Sequence, residues 1–577
     1  MISLPFYDKI LLLIIKGNSV KVGNIKKYLL LLIGFWLICG LLAILFLQLP
    51  YYDWTNYHHY NSWAFFNNRY DLDFLAANHR TYFIPYVDLL QYIFIEKLNE
   101  HPLLFLFIES FDDAVILLLT YMIGEILFNV PLRQKIFFNI YNIFFVAFSP
   151  IFILLSNFSM NDMRVAIFIL LSFYILLKNL FETDKKGRFR NIFLGGVVLG
   201  VALALKLTSI VYVLTLSAII LLMFKRIPNP FKTFGLFCSG VIFSFIIVSG
   251  HWYYNMYKHF DNPFLPYFND VFRSEYSNFT NFVHEDFAHV KARNIIEFIF
   301  FPFFISGEHT FGNSEYSFDP RFAVMFVIFL FIIPFLVYLD KLKKQTIFCD
   351  LISVNNLWFL ILYINISYYI NIYFFGTYRY IISSSVLFGF IAIVFAYALF
   401  SSYREKPKFI SVFLILLLLS VYSYTNFGKS KYKLSNIFDV HNIISVEDAG
   451  IKDNSYVFVF STLMSYVIPY QNPNAHYILI IIPPEVDYVS SKFFRKGDLI
   501  FHTQALYSKY LKQKISEIMN SNANVYFMCF AAKGTYNMYK NALDYYSGKQ
   551  RHIMGCNNLH SYIFGIPRRK MKVCEYN

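Results

Sequence analysis

The stretch YYDWTNYHHYNSWAFFNNRYDLDFLAANHRTYF, residues 51–83, is polar and aromatic and begins where the first long apolar run, Tyr28 to Pro50, ends. Asp53 stands at that edge, beside Asn56, His58, His59 and Tyr60. Ionisable groups at membrane depth are costly, which makes them functional candidates by default; the plainer reading is an interfacial residue that ends a helix. The apolar run is long enough to cross a hydrocarbon core, and runs of about 17–23 residues recur along the chain. The expected fold is therefore mainly α: a polytopic membrane protein.

Composition agrees. The 577 residues are 57% hydrophobic and 15% charged, unlike an ordinary soluble enzyme. A formal charge of +14 invites a nucleic-acid reading. The Lys and Arg residues, however, cluster in short segments between apolar runs, the positive-inside pattern of a chain that meets membrane lipids and no nucleic acid. Residues 1–27 carry five lysines from Lys9 to Lys27 and read as a cytoplasmic segment. The run that follows is too long for a signal-peptide core.

Parity sets the topology. The basic segments Arg133/Lys135, Lys185–Arg190, Lys225/Arg226/Lys232, Lys341–Lys344 and Arg404–Lys408, if all cytoplasmic, are separated by even numbers of crossings, giving about eleven spans over residues 28–425. Tyr82–Ile95 and Leu103–Phe111 are too short to cross and read as interfacial helices of the first outer loop. Asn161, Asp162 and Arg164 fall in an outer turn. Ile192–Phe224, about 33 residues, is too long for one untilted span, so a break is expected at Lys206–Ser209 with Lys206 on the outer side. Arg379 falls at another outer turn.

Residues 426–577 change character. YVFVFST, AHYILIII and NVYFMCF have strand-like lengths, and Thr503–Met519 has helical spacing, which predicts a small outer α/β domain. An oxidising outer face would permit one disulfide among Cys529, Cys556 and Cys574, with Cys556–Cys574 the preferred pair. No GxxxxGK[ST], GxGxxG after a strand, or HExxH is present, so ATP hydrolysis, dinucleotide redox and zinc proteolysis lose support. Asp71-Leu-Asp73 has the form of a metal-binding DxD, a spacing common by chance.

Six segments carry a resemblance: YHHYNSWAFFNNRYDLDFLAANHRTYFIPYVDLLQY, SMNDMRVA, GVALALKLTS, GHWYYNMYKHFDNPFLPYFN, SEYSFDPRFA and FGTYRY. With an acid after the first span and a second between spans three and four, the chain resembles the GT-C integral-membrane glycosyltransferases, around the bacterial glycosyltransferase family 87 branch and its unassigned relatives. The first and fourth segments are the most specific, and the likeness covers about residues 30–470. Asp53 lacks the adjacent acids that many GT-C proteins carry.

The resemblance implies transfer of a sugar from a polyprenyl-phosphate donor to a hydroxyl of a cell-envelope glycan or lipid, on the periplasmic side of a bacterial inner membrane. Asp53 is then the expected general base. Asp162 orients the acceptor, holds a divalent cation (Mg or Mn), or caps its helix. Lys206 and Arg379 are expected at the lipid phosphate. His58, His59 and Tyr60 are expected at sugar hydroxyls or in an aromatic cluster. Lys258 and His259 contact phosphate or anchor at the interface. Two rivals are a lipid-linked sugar flippase, which would want charges deep in spans and on both faces, and an O-antigen polymerase or ligase, which centres on a large late outer loop.

Overall fold

The computed structural model describes residues 22–46, 53–156, 160–183, 187–276, 292, 294–305, 319–341, 350–400, 406–423, 440–480, 509–530, 535–548, 552–568 and 570–576. The expectations for the N-terminal segment up to residue 21, for Lys343 and Lys344, for Arg404 and for residues 503–508 lie outside them. The chain is mainly helical with a small C-terminal sheet region. It divides into two compact units: one built from 1–48, 107–248 and 289–433, the other from 49–106, 249–288 and 434–577.

The first unit is a set of helices. Val22–Leu45, Phe111–Leu127, Leu132–Ala147, Asp162–Asn179 and Arg188–Leu205 are followed by Ile210–Leu222, Arg321–Lys341, Val354–Phe374, Phe388–Leu399 and Lys406–Ser423. Without a hydrophobic drive between helices in lipid, close packing depends on small residues. Gly196 and Gly200 supply it on the Arg188–Leu205 helix. A Cβ on Gly196 would meet the Phe237 carbonyl, and one on Gly200 the Ser244 hydroxyl and the Val241 carbonyl. Gly240 answers from the opposing helix, where a Cβ would strike the Phe193 carbonyl.

Among the described residues four helices are long and apolar enough to cross a membrane: Ile25–Leu45, Arg188–Leu205, Pro230–Phe260 and Val354–Phe374. A pair bent by 51°, Tyr378–Ser385 with Phe388–Leu399, would make a fifth. The expected count of about eleven is not established by these. Several of the other expected spans are shorter helices, such as Phe111–Leu127 with 17 residues and Leu132–Ala147 with 16. The break expected in Ile192–Phe224 is present. The helix stops at Leu205, Lys206 is extended, and a 3-10 turn over Leu207–Ser209 leads into Ile210–Leu222.

In the second unit the strands are β1 (Ala76–His79), β2 (Ile444–Val446), β3 (Tyr456–Val459), β4 (His476–Leu479), β5 (Val525–Phe530), β6 (Ile553–Leu559), β7 (Ser561–Ile563), β8 (Ile566–Pro567) and β9 (Met571–Tyr576). A five-stranded sheet has the order β4-β3-β5-β9-β6. Strands β4, β3 and β5 are parallel and β9 runs against its neighbours. The three runs read as strands from sequence are β3, β4 and β5. Their apolar continuity fits strands buried on both faces. Cys556 lies opposite Cys574 across β6 and β9, with Cα atoms 4.1 Å apart, and the two form a disulfide. The first loop belongs to this unit: Phe74 forms a parallel bridge with Ile478, and the Asn99 carbonyl accepts from the Ile443 amide at 2.8 Å.

Candidate functional site

The sequence candidates divide between the units: Asp162, Lys206 and Arg379 fall in the first, and Asp53, His58, His59, Tyr60, Lys258 and His259 in the second.

In the first unit three turns, far apart in sequence, meet. Asp162 opens the Asp162–Asn179 helix, Lys206 is the extended residue at the helix break, and Arg379 lies in the 3-10 turn Tyr378–Ile381. Lys206 Nζ donates to Asp162 Oδ1 at 2.6 Å and to Asn161 Oδ1 at 2.8 Å. Arg379 Nε stands 3.7 Å from Asp162 Oδ2, and its Nη1 contacts the Met160 sulfur at 3.2 Å. The Tyr380 ring is shared, 5.1 Å from Lys206 Nζ and 5.3 Å from the Arg379 guanidinium, within cation–π range. All three charged side chains are largely buried.

This geometry separates the readings of Asp162. Its helix has Asn161 at the N-cap with no side-chain capping bond, and Asp162 turns to Lys206 instead. Among the described residues the Asp162 carboxylate faces two cations, Lys206 and Arg379, in a site mostly shielded from water. Guanidinium and ammonium groups are the usual partners of phosphate. Arg164, from the same turn, is engaged elsewhere, with Nε 2.8 Å from Asp112 and Nη2 on Glu109.

In the second unit Asp53 is 6% exposed and immediately precedes a π-helical turn, Trp54–His58. Such turns are rare and concentrate at functional sites. Sequence reasoning had no signal for this one. His58 Nδ1 lies 2.6 Å from Asp88, and both are buried. His59 Nε2 lies 3.1 Å from the Tyr470 hydroxyl, with the two rings stacked at 5.7 Å. Burial pushes the His59 imidazole down to about 3, so it is neutral at ordinary pH. The Tyr60 hydroxyl donates to Asp73 at 2.7 Å. These three side chains are therefore held by protein partners in an aromatic cluster.

Asp73 does not have the surroundings of a metal-binding DxD. Arg69 grips both its oxygens, at 2.9 and 2.6 Å, and the Tyr477 amide donates to it at 2.8 Å. Asp71 points outward and pairs with His259 at 3.3 Å, both well exposed. Lys258 is exposed beside the Tyr254 ring. Among the described residues no three His, Cys, Asp or Glu side chains gather as a metal site.

No family model and no curated protein matches this sequence. Among solved structures, ArnT from Cupriavidus metallidurans bound to undecaprenyl phosphate is similar at a TM-score of 0.47 and 10% identity, over 96% of this chain and 98% of that one. The apo oligosaccharyltransferase of Archaeoglobus fulgidus gives 0.46 and 12%, over 91% and 72%. With scores below one half, neither likeness decides the fold or the chemistry here.

Proposed function

We propose that this chain is a GT-C-type membrane glycosyltransferase. It moves a sugar from a polyprenyl-phosphate donor to a hydroxyl of an envelope glycan or lipid, on the outer face of a bacterial inner membrane and with inversion. The observation that carries the reading is the meeting of Lys206 and Arg379 about Asp162, two cationic side chains at one buried carboxylate next to apolar helices. Anionic lipid headgroups with long apolar tails match that combination. The sequence resemblance supplies the sugar chemistry.

In the reaction a carboxylate takes the proton of the acceptor hydroxyl while that oxygen forms a bond to the anomeric carbon. The bond from that carbon to the phosphate oxygen breaks, and its electron pair leaves with the polyprenyl phosphate. Lys206 and Arg379 stabilise the charge gathering there. The sequence resemblance assigns the base role to Asp53, which is buried and immediately precedes a π-helical turn. A single displacement of this kind inverts the anomeric centre.

The test is transfer from labelled polyprenyl-phosphate sugar in proteoliposomes. Asp53→Asn keeps the shape but cannot take the proton, so turnover should fall by roughly 10²–10⁴-fold while donor binding survives. A folded variant that transfers at the unaltered rate removes Asp53 from the chemistry. Exchange of the lipid between leaflets with no bond cleavage would identify a flippase instead.

A further inference from the structure

We propose that the buried pair Asp319–Arg321 positions Arg379, acting through the hydroxyl of Tyr378; this rests on Arg379 serving the phosphate, as argued above. Arg321 Nε donates to Asp319 Oδ1 at 2.9 Å and Nη2 to Oδ2 at 2.7 Å, and both side chains are fully buried. A third guanidinium nitrogen donates to the Phe145 carbonyl at 3.3 Å. The Tyr378 hydroxyl donates to Asp319 Oδ2 at 2.7 Å and is equally buried.

Such a pair is poor evidence of net stability, because desolvation of two charges offsets their attraction. Its use lies in direction. Tyr378 opens the 3-10 turn Tyr378–Ile381 and is covalently next to Arg379. On the other side of Arg379 the Tyr380 carbonyl accepts from the Tyr212 hydroxyl at 2.7 Å, and Tyr212 lies on the helix that follows the Lys206 break. Just before the turn, Gly376 takes a positive φ of 65°, and the Asn371 side chain holds the Thr377 carbonyl at 3.0 Å. The Arg379 backbone is thus pinned on both flanks, and its long side chain is directed at Met160 and Asp162. An arginine fixed in advance loses less freedom when it binds an anion. Asp319 and Arg321, far from Tyr378 and Arg379 in sequence, are in this way parts of one device with them.

The experiment measures binding of undecaprenyl phosphate, against undecaprenol, to the purified full chain in nanodiscs. Tyr378→Phe removes one hydroxyl and should weaken phosphate-lipid binding roughly tenfold, with no change for undecaprenol. In an Arg379→Gln background the same change should have less than about a twofold effect, because the residue acts through Arg379. Tyr422→Phe is the control. Its hydroxyl also donates to the Phe145 carbonyl, at 3.1 Å, and its loss should leave binding unchanged. If the Phe variant does not accumulate as folded protein, Asp319→Glu, which displaces the acceptor and keeps its charge, should give the same pattern. A silent Tyr378→Phe beside a weakened Arg379→Gln overturns the positioning role alone, as do effects that simply add. A silent Arg379→Gln overturns the phosphate reading and this inference with it.

Discussion

Replacing Lys206 with Gln separates what the Asp162 pair does for the fold from what it does for a ligand. The side chains are 15% and 6% exposed, so the substitution strands a mostly buried carboxylate. Removing one partner of a buried pair costs about 3–5 kcal/mol, and partial exposure plus the nearby Arg379 should bring this to about 2–3 kcal/mol. The double variant Asp162→Asn, Lys206→Gln replaces the ions with two neutral amides and should recover most of that loss. Stability should therefore run: unaltered protein, then the double variant, then either single variant.

Phosphate binding should follow charge instead. Relative to the unaltered protein the site loses one positive charge in Lys206→Gln and gains one in Asp162→Asn. Loss of one charge-assisted hydrogen bond removes about 1.5–3 kcal/mol, or roughly 10–150-fold in affinity. Asp162→Asn should bind undecaprenyl phosphate at least as tightly as the unaltered protein although it is less stable. The double variant leaves the charge balance unchanged and should bind about as tightly as the unaltered protein, well above Lys206→Gln. Heat denaturation and lipid competition in nanodiscs measure the two orders independently. Binding that tracks stability across all four proteins would refute a phosphate site at this cluster.

The remaining predictions concern the second unit. Asp73→Asn breaks the buried network with Arg69, Tyr60 and the Tyr477 amide and should destabilise the fold by about 3–5 kcal/mol. Asp71→Ala, at an exposed position, should change stability by less than about 0.5 kcal/mol; equal loss of divalent-cation binding in both would instead restore the DxD reading. His59, lowered by burial from 6.5 to about 3, stays neutral in the folded protein while the unfolded chain takes up a proton. Its contribution is intact above pH 6.5 and is lost as pH falls from there toward 3. A stability profile that keeps the same acid slope in His59→Phe would overturn that account.

Much of this was legible in sequence where the physics is local. An apolar run too long for one span and too short for two must break, and the lysine inside it marks where. Asp162, Lys206 and Arg379 were readable as charged interruptions at turns, but their meeting depends on helix packing that spacing does not encode. The Gly196 and Gly200 contacts show why, since they fix how closely one helix approaches another. Asp73 was misleading because a carboxylate two residues from another has the form of a metal ligand until Arg69 is found on it. Asp319 and Arg321 lie more than fifty residues from Tyr378, and nothing in their spacing signals that they cluster.

The pairing of Asp162 with Lys206 also bears on how a cation is kept in apolar surroundings before any ligand arrives. An unpaired ammonium there would be expensive or would lose its proton. Asp162 supplies the missing negative charge, with Asn161 as a second acceptor. A lipid phosphate brings its own negative charge and competes with the carboxylate for the same ammonium. The carboxylate therefore lowers phosphate affinity even as it stabilises the empty site, which is why its removal should tighten binding. On the proposed function it would also keep the product lipid from being held too firmly. Slower turnover with tighter lipid binding in Asp162→Asn would follow from this argument, whereas slower turnover with unchanged lipid binding would instead assign Asp162 to the acceptor.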